Sequence, residues 1–142
     1  MVRKILVGAL ESNEGRGAIE AAVAEARRTD AEIHLVGFHE RPKGEAQIAS
    51  YAQDTERLRA HVERIAAELV PDDVRAVSHV PDGVGRPSDA ILRVAVQEGV
   101  DLIVIGMRER SRVGKLVMGS NAQDILLAAE CPVLSVKPGQ TI

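Results

Sequence analysis

Residues 101–120 read DLIVIGMRERSRVGKLVMGS. The apolar run from Leu102 to Ile105 stops at Gly106. A loop carrying Arg108, Arg110, Arg112 and Lys115 follows, and Gly119-Ser120 opens a new apolar-periodic segment. The pattern predicts a buried strand, a cationic loop and a helix start. A helix N-terminus leaves backbone N–H groups unpaired and carries partial positive charge, so this arrangement suits a phosphate. Glu109 works against it by placing a carboxylate in the same loop.

Outward from that stretch, apolar runs alternate with helical patterns along the whole chain. Strands are predicted from Lys4 to Ala9, Ala31 to Phe38, Val74 to Val80, Asp101 to Ile105 and Pro132 to Val136. The first helix is predicted over 13–29, with Ile19, Ala22, Val23 and Ala26 on one face and Asn13 as N-cap. Residues 39–48, with Pro42 and Gly44, read as a loop. Residues 49–69 carry Tyr51, Leu58, Val62, Ile65 and Leu69 at helical spacing, and Pro71 stops the run. Pro87 suits the first turn of a third helix that turns Ile91, Val94 and Ala95 inward and ends at Gly99. The last helix, 119–130, turns Ile125, Leu126 and Ala129 inward.

Five strands alternating with four helices make an α/β protein: a doubly wound five-stranded parallel sheet in a single domain over 1–142. In such sheets ligands bind beyond the carboxyl ends of the strands, where the strand order reverses. The loop after strand one (Leu10 to Asn13) and the loop after strand four (Gly106 to Met118) therefore compete for a site. They share one crevice if strands one and four are neighbours.

Composition excludes several classes. The net charge is −3 and the aromatics are one Phe and one Tyr, so nothing attracts nucleic acid globally or offers stacking platforms for bases. No apolar run approaches the roughly 20 residues that span a bilayer. The opening MVRKILVGAL reads as a strand rather than a leader, which places the protein in the cytoplasm. The single Cys131 agrees with a reducing compartment and reads as a packed small residue.

Other motifs fail on spacing. Gly114-Lys115 is not a phosphate-binding P-loop, because Leu116 replaces the Ser or Thr that would hold magnesium. His34, His39, His61 and His79 have no metal-like spacing and read as strand or helix-surface residues. Asp82 and Lys137 superficially fit a phospho-receiver domain, but Ala9-Leu10 supplies no acidic metal ligand after strand one.

The whole chain resembles the universal stress proteins. ATP-binding members of that family share G-x2-G-x9-G-[S/T] after strand four. Here Gly106, Gly119 and Ser120 match, with Glu109 where the second glycine belongs. DLIVIG before the motif, AAECPVLSVKP near the end and Gly85-Arg86-Pro87 are similar to the family as well. The resemblance implies strand order 3-2-1-4-5, with adenine nucleotide alpha hydrolase-like, flavodoxin-like layering. It implies a stress-response regulatory module that binds ATP, ADP or AMP, with magnesium if ATP, in the strand-one/strand-four crevice. Ala9 and Leu10 would border the nucleoside, and Val36 the adenine, packed on aliphatic side chains. Gly106, Arg108, Glu109, Arg112, Gly114, Gly119, Ser120 and Asn121 would surround the phosphates. It also implies a homodimer joined through strand five, Pro132 to Lys137.

Two departures matter. Leu10 stands where an Asp commonly meets the nucleoside, and a Glu at 109 removes the close backbone approach that glycine allows. They motivate an alternative, a nucleotide-free dimer acting through protein contacts. Catalysis is limited to slow ATP hydrolysis at most, since no general base or evident magnesium carboxylate stands out.

Overall fold

A computed structural model describes residues 2–10, 12–38, 45–81, 86–107 and 118–137, with the backbone alone along 45–53. Chain order is β1 (Lys4–Gly8), α1 (Asn13–Thr29), β2 (Glu32–Val36), α2 (Glu45–Leu69), β3 (Ala76–His79), α3 (Pro87–Glu98), β4 (Leu102–Gly106), α4 (Ser120–Ala128) and β5 (Val133–Val136). All pairings are parallel and the sheet order is β3-β2-β1-β4-β5. The order reverses between β1 and β4, as expected.

Alternation along each strand sorts side chains to two faces. Ile5, Val7, Ile33, Leu35 and Val104 meet Ile19, Ala22 and Ala26 of α1 and Val62 and Ile65 of α2. Leu6, Val36, Ile103 and Ile105 meet Ile91 and Val94 of α3 and Ile125 of α4. Burying each Leu, Ile or Val contributes about 1.5–3 kcal/mol. Among the described residues, no helix is long and apolar enough to cross a membrane.

Several boundaries differ from the sequence reading. The N-cap of α1 is Ser12, not Asn13: the Ser12 Oγ accepts the Gly15 N–H at 3.1 Å, and Asn13 is already helical. Both residue types cap well, so sequence does not choose between them. Ser12→Ala is expected to remove about 1 kcal/mol of stability in a denaturant titration. Helix α2 begins at Glu45, inside the segment expected as a loop, because Glu45, Ala46 and Gln47 are good helix formers. Helix α4 ends at Ala128. Leu126 is 41% exposed rather than inward, since the short helix presents only a narrow stripe to the sheet and Ile125 fills it. Gly99 ends α3 as expected, at φ 64°, a left-handed conformation that suits glycine.

Asp101, just before β4, ties that strand to the start of β1. Its carboxylate accepts the backbone N–H groups of Arg3 and Lys4 at 2.9 and 3.0 Å. The Arg3 and Lys4 amides hold this carboxyl below its ordinary range.

Candidate functional site

The carboxyl ends of β1 and β4 border a cavity of about 370 Å³, a size usual for small-molecule sites. Leu6 and Ile103 form its floor. Pro87 and Ile91 come from α3, Ala122 and Ile125 from α4, and Ser12 and Glu14 from the start of α1. Phe38, just past β2, completes the apolar wall.

Glycines let these elements close up. A Cβ on Gly106 would clash with the Glu14 carbonyl oxygen and lie 2.8 Å from its carbonyl carbon. One on Gly15 would lie 2.5 Å from both the Cβ and the carbonyl oxygen of Leu10. The end of β4 thus abuts the first turn of α1, and that turn abuts the β1–α1 loop.

Three helices point their N-termini at this edge, and their electrostatics differ. At α1, Ser12 takes the Gly15 amide, and Glu14 in the first turn offsets the positive end of the helix dipole. At α3, the Asp89 carboxylate accepts the Arg86 N–H at 3.0 Å. At α4 the N-cap is Gly119, with no side-chain cap and no acidic residue in the first turn. The start of α4 is therefore the most anion-receptive of the three.

Helices α3 and α4 are stapled at this end. The Ser88 N–H donates to Asn121 Oδ1 at 3.2 Å, the Ser88 hydroxyl donates to Asp124 at 3.3 Å, and Arg86 pairs with Asp124 at 2.7 Å. Ser88 is 1% exposed, so its bonds are shielded from competing water.

Of the residues expected from sequence, Leu10, Gly106, Gly119 and Asn121 line the cavity. Leu10 stays 40% exposed, and the Asn121 carbonyl oxygen is committed to Ser88. Ala9 and Val36 are buried in the two cores and lie outside the lining, and Ser120 is exposed at the start of α4. Arg108, Glu109, Arg112 and Gly114 lie outside the described residues. Sequence reasoning missed Glu14, Phe38 and Ala122, and took in Ser12 only as part of the loop after strand one. A carboxylate at the second position of a helix that opens after strand one was the available signal for Glu14.

The match to known proteins follows the same topology. The model of the universal stress protein family matches residues 1–137. The chain belongs to the universal stress protein family. A universal stress protein of Thermus aquaticus, named for its place beside a QAH/OAS sulfhydrylase gene, is 34% identical over 145 residues. That match spans 96% of this chain and 100% of the relative. A universal stress protein of Mycolicibacterium smegmatis is 34% identical over 135 residues, covering 94% and 97%. Among solved structures, the Archaeoglobus fulgidus universal stress protein in complex with dAMP superposes with TM-score 0.62 at 20% identity. It covers 96% of this chain and 100% of that one. A family protein from Arabidopsis thaliana with AMP bound gives TM-score 0.63 at 19% identity, covering 96% and 92%. At those identities the structural likeness establishes the fold.

Proposed function

We propose that this universal stress protein is a regulatory module that binds an adenine mononucleotide in the β1/β4 cavity. The observation that carries the reading is the cavity at the point of strand reversal, apolar on its floor and open to the uncapped N-terminus of α4. The base would lie against Phe38, Pro87 and Ile91, which replaces the purely aliphatic packing expected from sequence. The phosphate would face the first-turn amides of α4 at Gly119 and Ser120. Glu14 would sit near the ribose, where a carboxylate can accept hydroxyl hydrogens. Solved relatives bound to AMP and dAMP support the ligand class.

The single carboxylate of the described lining, Glu14, favours a monophosphate over ATP with magnesium, because it repels added phosphate charge. The second copy of a homodimer would add to β5, which is the sheet edge on that side. The second reading, a nucleotide-free module, draws on Leu10 and on the Glu at 109.

Calorimetry with AMP and ATP tests the proposal. One AMP per chain is expected to bind with a dissociation constant on the order of 10 μM, and ATP more weakly. No heat from folded protein at about 1 mM of either nucleotide, roughly 4 kcal/mol of affinity, would leave the nucleotide-free reading standing.

A further inference from the structure

The fold brings together two histidines that sequence spacing keeps apart. His34 on β2 and His79 on β3 are 45 positions apart, yet the β2–β3 register puts them on one face, two rungs from each other. Their Nδ1 and Nε2 atoms approach to 2.7 Å. Ring centroids are 5.0 Å apart and the planes are inclined by 15°. The close nitrogens therefore lie between two nearly coplanar rings, joined edge to edge. Glu98, the last residue of α3, approaches from the layer above. One donor atom each from His34, His79 and Glu98 lies within 4.8 Å of the other two.

We propose that His34, His79 and Glu98 form a binding site for a divalent transition-metal ion, zinc by its donor set. Two imidazoles and one carboxylate, with a position left for solvent, is a donor set zinc accepts. Protonation geometry supports it. His34 is 2% exposed, and its Nε2 lies 2.9 Å from Glu32 Oε1. A carboxylate accepts only, so with a neutral ring Nε2 carries the hydrogen and Nδ1 turns its lone pair to His79. A carboxylate behind the non-ligating nitrogen is the usual orienting partner of a metal-bound imidazole. His79 and Glu98 are only partly buried, so an ion has a path in.

Without metal, one hydrogen bridges the two nitrogens. With metal, the ion takes that place. Two nitrogens on a tetrahedral zinc stand about 3.4 Å apart, so the rings must separate slightly, and His79 on the edge strand has room to turn. Two cations oppose the ion. Lys4 donates from Nζ to the Glu98 backbone carbonyl at 2.9 Å, and Arg75 lies 3.6 Å from Glu32. None of the three ligands lines the nucleotide cavity, so the two sites stand or fall separately.

The test uses untagged protein titrated with zinc by calorimetry and with cobalt(II) by visible absorption. One ion per chain is expected, with the intense visible bands of four- or five-coordinate cobalt. His79→Ala is expected to weaken zinc binding about 100-fold or more and Glu98→Gln about 10-fold or more. Lys4→Met is expected to tighten it about 10-fold by removing a competing charge, a gain that structural damage does not imitate. Circular dichroism checks that each variant is folded. The proposal is overturned if no ion binds at about 100 μM, or if His79→Ala binds as tightly as the unaltered chain, which would put the metal elsewhere.

Discussion

Gly106→Ala is expected to destabilise the protein by about 3 kcal/mol, the upper part of the range for overpacking. The added Cβ meets the carbonyl group of Glu14, which is backbone and cannot rotate away. Relief requires moving α1 off the end of β4. Helix α1 is seated on the sheet through Ala18, Ile19, Ala22 and Ala26, all nearly inaccessible. The three alanines bring the helix close and leave little slack. Gly17, two positions beyond Gly15 on the same helix, is the control. A Cβ there meets nothing within 4 Å, so Gly17→Ala should stabilise by about 0.5–1 kcal/mol through helix propensity. Urea unfolding of the two variants should move the midpoint in opposite directions. A Gly106→Ala variant within about 1 kcal/mol of the unaltered chain would mean α1 is not pinned at this contact.

Ala122→Trp is expected to abolish AMP binding, with a loss of about 100-fold or more, while the protein stays folded. Ala122 lies in the first turn of α4 and lines the cavity beside Ile125. An indole there occupies the space between α4 and Phe38 and covers the amides assigned to the phosphate. The cavity is open to solvent on one side and lined by apolar carbon. The ring therefore gains contact without breaking a buried hydrogen bond, and stability should change by less than about 1.5 kcal/mol. Calorimetry for AMP beside a thermal melt separates the two effects. Undiminished AMP affinity in a folded variant would place the nucleotide outside this cavity.

The alternation of five strands with four helices was legible because parallel strands buried on two sides carry near-continuous apolar runs, broken by helices of a different period. The strand order came from the family resemblance, since no apolar run records which strands are neighbours. Gly106 was legible as a fixed point of the site. Its reason was not: the approach of the Glu14 backbone is a fact of helix-on-sheet packing that no local pattern records. Ser12 and Asn13 are adjacent residues of equal capping aptitude, and only the backbone decides: Ser12 is extended at ψ 160°, outside the helix. Leu126 shows how an apolar residue in a short helix misleads, since the period allows it an inward place that Ile125 already fills. Phe38 read only as the end of a strand, because its neighbours in the cavity come from α3, more than forty positions later. The His34–His79 pair was invisible for a similar reason. Its partners meet only through the β2–β3 register.

The Asp101 bracket has a consequence in time. β1 is made first but sits in the middle of the sheet, and its β4 flank is tied down by Asp101, 98 positions after Arg3 and 97 after Lys4. The unit β1-α1-β2-α2-β3 can pair its strands while the rest is still being synthesised. Throughout that interval β1 presents an unsatisfied apolar edge. Closure waits for Asp101 to reach the amides of Arg3 and Lys4, a long-range loop that slows folding. The newborn chain is therefore most exposed to aggregation before residue 106 has emerged. The Asp101 carboxylate, by taking the Arg3 and Lys4 amides, anchors the last inner strand at its start.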